Sequence, residues 1–230
     1  LKQNPQTIIL GTHVGDYLAT PVLKLEMLAH EVRHALMGYY NAYILLNETT
    51  YYMRSGLRET YYLRNENTSE HISTKRIGTT LDEITNTYIT ELLVNRIISF
   101  RKYKIENSNL KRYLDSLKTS QSDGKYRAIV YNSEVKLLYP LLLNEMFINL
   151  VNCHQFDGKI NLIKEFIEDN NDICSYEQFC KLLDDIYNNN IKYPQEVKNN
   201  NVDFVQKHIS NINYAKSIVL DINKTLVKKR

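Results

Sequence analysis

Residues 20–38, TPVLKLEMLAHEVRHALMG, carry the pattern from which the rest of the chain is read. Thr20 offers a hydroxyl N-cap and Pro21 a first helical residue with its φ already set. A helix is therefore predicted through His30 and His34 towards Gly38, a natural terminator. Leu25, Leu28, Val32, Ala35 and Leu36 fall within about a third of its circumference, at about 100° per residue, and are expected to face the core. A second face holds His30 and His34 with Leu23, Glu26, Met27 and Met37, a mixture unlike the Lys/Glu surface of a solvated helix.

His30-Glu31-Val32-Arg33-His34 is an HExxH sequence. Spacing of four puts both imidazoles on one face, one turn apart, where they can hold a single zinc ion. Glu31 lies about 100° around the axis from His30, where its carboxylate can take a proton from a metal-polarised water and pass it to a leaving amine.

A catalytic zinc takes three protein ligands. The expected third is Glu83, in the stretch GTTLDEITNT at 78–87, which opens a second helix running from Leu81 to about Phe100. There Glu83, Asn86, Thr87 and Thr90 form a polar stripe opposite Leu81, Ile84, Tyr88 and Leu92. Asn86 and Thr87 are placed to hydrogen-bond the ligands without touching the metal. Thr80-x-x-Glu83 is also a capping box, but Thr79-x-x-Asp82 is an equal one that leaves Glu83 available. Glu91, then Asp82, are the reserve ligands.

Working outward, Thr7–Leu10 is predicted as a short strand ended by Gly11. Residues 49–64 form a predicted hairpin turning at Ser55-Gly56, followed by a polar loop to Arg76. On its second arm Arg58, Thr60 and Tyr62 share one face and Leu57, Tyr61 and Leu63 the other. Arg58 and Tyr62 are the candidates for stabilising a tetrahedral oxyanion. Lys118–Lys125, KTSQSDGK, is the best internal linker. Beyond it the chain is helical: about 133–152, divided or kinked at Pro140, then 160–168, 176–188 and, after an Asn-rich loop at Tyr193-Pro194, 202–227. Val202, Val205, Ile209, Ile212, Val219 and Ile222 give the last helix its apolar stripe. The expected class is α+β, a small N-terminal sheet over the HExxH helix followed by a mainly helical half. The expected domains are a catalytic core at 1–117 and a helical subdomain at 126–230 that completes a cleft or binds a partner.

Composition narrows the function classes. A net charge of +3 with dispersed basic residues does not call for nucleic acid, and only Lys228-Lys229-Arg230 cluster. The longest apolar stretch, Leu137–Leu143, is too short to span a membrane and contains Pro140. Cys153, Cys174 and Cys180 are odd in number with no CxxC pair, which favours a reducing, cytoplasmic compartment. The chain opens at Leu1 rather than Met, so a secreted route stays open beside it. Cys174 and Cys180 are expected as small core residues of a helix. His71 is expected in a loop, and His13, His71, His154 and His208 lack ligand spacing.

An HExxH helix followed by a second helix with a ligand glutamate, here Leu81-Asp82-Glu83, resembles the gluzincin group of zincin metallopeptidases. The resemblance covers residues 7–100. It implies that His30, His34 and Glu83 bind zinc, that Glu31 is the base, and that the strand at Thr7–Leu10 aligns an extended peptide. Glu83 follows His34 at a separation nearer that of lethal-factor-like members than of thermolysin-like ones. Thr87 stands where the group often has an acid orienting a zinc-binding histidine, which implies weaker activity or transfer of that role to Glu91 or Asp82. The implied function is a zinc-dependent endopeptidase acting on a peptide or protein. The alternative is a catalytically weak or inactive zincin-fold domain used for binding. A helical interaction module with an accidental HExxH and an amidase- or deformylase-like zinc enzyme are further rivals.

Overall fold

A computed structural model describes residues 21–45, 48–65, 71–99, 132–157 and 159–228. Thr7–Leu10, His13 and the linker at Lys118–Lys125 lie outside them. Helix α1 spans Pro21–Leu36, and the chain then folds as four strands, β1 (Gly38–Leu45), β2 (Glu48–Ser55), β3 (Arg58–Asn65) and β4 (His71–Ile77), before α2 (Thr79–Ser99). The second half holds α3 (Asn132–Leu142), α4 (Glu145–Asp157), α5 (Ile160–Glu168), α6 (Tyr176–Lys198) and α7 (Val202–Lys228). The class is α+β, with a small antiparallel sheet and a mostly helical C-terminal half. Among the described residues no helix is long and apolar enough to cross a membrane.

The described residues gather into two compact units. One holds α1 and α2 from Asn86 onward; the other holds the sheet, the start of α2 up to Thr85, and α3–α7. The boundary runs through α2, a single continuous helix.

In the first unit α1 is oriented against expectation. Leu28, Val32 and Leu36 are exposed, whereas Glu26 and Arg33 are buried. A polar interhelical hydrogen-bond set on the Arg33 side, described below, outweighs the apolar periodicity.

In the second unit the sheet is an antiparallel meander in the order β1-β2-β3-β4. The expected hairpin is present, with Ser55 paired to Arg58, so the turn is Gly56-Leu57 rather than Ser55-Gly56. Two further strands flank it. β1 pairs along all of β2, from Gly38↔Ser55 to Leu45↔Glu48. β4 replaces most of the expected polar loop, with His71 opening it. Its Thr74, Lys75 and Arg76 are exposed, which is why the segment reads as loop from composition.

The hairpin tip is fastened to the start of α2. The Leu57 N–H donates to Asp82 Oδ1 at 2.7 Å, and Tyr176 Oη on α6 donates to the Leu57 carbonyl at 3.3 Å. Arg54 Nη1 donates to the Gly56 carbonyl at 3.0 Å. The Thr80 N–H, one of the unpaired donors of the first helical turn, is taken up by Asp184 Oδ1 of α6 at 2.9 Å. Glu59, almost wholly buried, pairs with Lys164 of α5 at 2.7 Å and accepts from Tyr52 and Tyr61 hydroxyls at 3.0 and 3.2 Å.

The helices differ from expectation at particular residues. Pro140 sits inside α3, and the break falls at Leu143-Asn144, where Asn144 Oδ1 accepts from the Met146 N–H and caps α4. α6 begins with a Ser175/Gln178 capping box and runs through Tyr193-Pro194, so the Asn-rich segment is helical. On α7 Val202 and Ile209 are exposed, and the buried face is His208, Ala215, Ile218, Val219 and Ile222. His208 belongs there because its Nε2 donates to Asn190 Oδ1 at 2.9 Å, while Asn190 Nδ2 donates to Glu134. Cys180 is buried in α6 as expected, but Cys174 precedes that helix and is half-buried.

Gly56 has φ +59°, and an added Cβ would stand 2.1 Å from Asp82 Oδ1. Gly56→Ala is therefore expected to destabilise the protein by about 1–3 kcal/mol through left-handed strain and displacement of the Asp82 bond. Urea unfolding, showing a lower midpoint at unchanged slope, is the check.

Candidate metal centre

His30 and His34 are half-buried on α1, with ring centroids 4.6 Å apart in an edge-on arrangement and their Nε2 atoms 3.0 Å apart. The two Nε2 atoms face each other at hydrogen-bond distance, the tautomers deciding which ring donates, so the nitrogens converge on one point. Two imidazoles on one tetrahedral zinc have donor nitrogens about 3.3 Å apart, close to this spacing. Glu31 is exposed beside His30 on the flank of the helix.

Glu83 lies in the second turn of α2. Its ligand oxygen and the ring nitrogens of His30 and His34 all fall within 4.8 Å of one another. Among the described residues this is the group of three His, Cys, Asp or Glu side chains so arranged. Two imidazoles and one carboxylate are a donor set that catalytic zinc sites use, and the three side chains are each half-buried, neither sealed nor fully solvated. The residues present therefore fit the implied ion.

Sequence reasoning reached several neighbours but not their partners. Arg58 opens β3 and stands 3.7 Å from Glu83 Oε1, a cation beside that carboxylate. Tyr62 is half-buried in the middle of β3, paired with Tyr51 and Thr74. Thr87 is half-buried one turn beyond Glu83. Asp82, a reserve ligand from sequence, is fully buried and holds the Leu57 N–H, so it acts as an anchor of the hairpin tip.

Asn86 is fully buried. Its Nδ2 donates to the His30 carbonyl at 3.1 Å, and its Oδ1 accepts from Arg33 Nε at 2.8 Å. Arg33 went unnoticed as a functional residue, although it stands one turn from His30 on the same side of the helix. Glu26 carries the other unread feature. Both its oxygens are buried without a hydrogen-bond donor, and burial pushes its carboxyl up to about 7, the Glu91 carboxylate adding to the shift. Glu91 is thus a carboxylate facing another carboxylate, an unfavourable pairing unless one of them is protonated.

Comparison of the chain with protein-family models, with curated proteins and with solved structures finds no match.

The Glu26 shift has a definite sign. Its folded pKa of about 7 lies above the ordinary 4.5, so the folded state retains a proton that the unfolded chain releases. Stability is unpenalised below pH 4.5, falls as pH rises towards 7, and the penalty is then fully present. In zinc-free protein Glu26→Met is expected to flatten this slope, gaining about 1–2 kcal/mol relative to wild type across the window. Parallel urea titrations at acidic and neutral pH test it; equal slopes in the two proteins would exclude the effect.

Proposed function

We propose that this protein is a zinc-dependent metallopeptidase of the gluzincin kind, with a zincin-like arrangement of its first half and a peptide or protein as substrate. The observation that carries the reading is the convergence of His30, His34 and Glu83 to within 4.8 Å, with Glu31 exposed beside the first ligand.

Bound zinc would polarise water and the scissile carbonyl, lowering the pKa of the water towards neutrality. The chain's own residues supply the rest. The Nε2 atoms of His30 and His34 would hold the ion, each neutral imidazole then carrying its N–H on Nδ1. The Glu83 carboxylate would exchange its Arg58 pairing for the ion. Glu31, one residue from a ligand but on the exposed flank, accepts the proton of the attacking water on a carboxylate oxygen and delivers it to the leaving amine. Arg58, which stands 3.7 Å from Glu83 Oε1, would then be a cationic donor for the tetrahedral oxyanion, with Tyr62 on the same strand face as a second candidate. Thr87, a turn beyond Glu83, would serve as a hydrogen-bond partner of a ligand.

Metal-replete wild type is expected to carry about one zinc per chain by elemental analysis. Glu31→Gln is expected to retain that zinc while peptide cleavage falls by about 10²–10⁴-fold, because the side chain keeps its shape and loses its basicity. Cleavage at the wild-type rate would remove Glu31 as the base. A wild type that binds zinc but cleaves nothing in a peptide library would favour a binding domain instead.

The third ligand has its own test. Glu83→Ala is expected to weaken zinc binding by orders of magnitude, and Glu91→Ala to leave it near wild type, because Glu91 faces Glu26 rather than the two histidines. Chelator competition on both variants decides between them; a Glu83→Ala protein with wild-type affinity would take Glu83 out of the site.

A further inference from the structure

The peptide carbonyl of His30 occupies a special place in α1. By the helix rule it accepts the N–H of the residue four further on, and that residue is His34. One oxygen thus joins the backbones of both histidine ligands. The second lone pair of the same oxygen takes the Nδ2–H of Asn86, at 3.1 Å.

The amide of Asn86 has one orientation. Arg33 Nε can only donate, so the atom it meets at 2.8 Å must be the oxygen, and the NH2 end must then face the His30 carbonyl. Arg33 and His30 stand one turn apart on α1, so the amide is gripped at both ends by the histidine helix. Asn86 is wholly buried, out of reach of bulk water, and Arg33 is nearly so. Breaking either bond leaves a buried polar group without its partner. On its own helix Asn86 follows Glu83 by three residues, on the same side and one turn along.

From these relations we infer that Asn86 is the positioning residue of the metal centre. Through its bond to the His30 carbonyl it sets the register of the Glu83-bearing helix against the two-histidine helix, and Arg33 locks it in place. This rests on the metallopeptidase reading above and extends it to residues that touch neither metal nor substrate. The register governs how closely the Glu83 oxygen approaches the two Nε2 atoms, and hence both affinity and coordination geometry.

Three proteins test it: wild type, Asn86→Ala, and Asn86→Asp, which keeps an acceptor for Arg33 but sets a carboxylate against the His30 carbonyl. Each is titrated with zinc against a chelator, and each is loaded with cobalt(II) for its visible absorption. Both variants are expected to lose roughly 10–100-fold in zinc affinity, as loss of a partner that orients a ligand does elsewhere. The cobalt(II) bands should shift with the altered coordination, a change that lowered stability alone would not produce. Should Asn86→Ala fail to fold by circular dichroism, Asn86→Asp carries the reading because its Arg33 bond persists. Arg33→Lys, which keeps the charge but not the Nε–H, should move both readouts in the same direction. A folded Asn86 variant with wild-type affinity and an unchanged cobalt spectrum overturns the positioning role while leaving the metal reading intact. A wild type that binds neither ion overturns both.

Discussion

The first turns of α2 are buried on nearly every side although they carry Asp82, Thr85 and Asn86, all with no exposed surface. A buried polar group without a partner costs about 1–3 kcal/mol, a large share of the roughly 5–15 kcal/mol by which a whole domain is stable. Two of the three therefore dictate something elsewhere in the chain. Asp82 requires the N–H of Leu57 and so brings the hairpin tip to the helix. Thr85 satisfies itself locally, on the Leu81 and Asp82 carbonyls. Asn86 requires a donor and an acceptor, and α1 provides both. The rest of the arrangement follows from meeting these demands.

The carboxylates show the same logic in three degrees. Glu59 is buried and is answered by an ammonium and two phenols. Glu83 is half-buried and meets a guanidinium at 3.7 Å, a loose pairing that a divalent ion can displace. Glu26 meets no donor and faces a second carboxylate, so it holds its proton instead. Glu26 lies on the helix that carries the two histidines, and Glu83 on the helix that follows the sheet.

Much of this was legible in the sequence where local chemistry decides structure. The bounds of α1 and α2, the hairpin and α5 followed from Pro21, the Gly56 turn and strict apolar periodicity. β4 escaped because an exposed strand of Thr, Lys and Arg has a loop's composition, and only its neighbour β3 makes it a strand. β1 escaped because the helix-ending glycine that precedes it also begins the strand. The face of α1 was misassigned for a related reason. Leu28, Val32 and Leu36 announce a core, but which face is buried is settled by Arg33 and Asn86, separated by 53 residues, and no periodicity encodes that partnership. The same limit explains why His30, His34 and Glu83 could be read together from the sequence while the Arg33–Asn86 bond could not.

The anchoring of α2 by the distant helices governs how the chain can be cut. Thr80 leans on Asp184, Leu57 on Tyr176, and Glu59 on Lys164, each pair joining the sheet or the head of α2 to α5 or α6. None of those three partners supplies a metal ligand, yet a fragment ending before α3 would forfeit every one of them. The hairpin tip would lose its outer brace and the helix bearing Glu83 its capped first turn. A version cut before α3 would thus discard what anchors the hairpin tip and the start of α2.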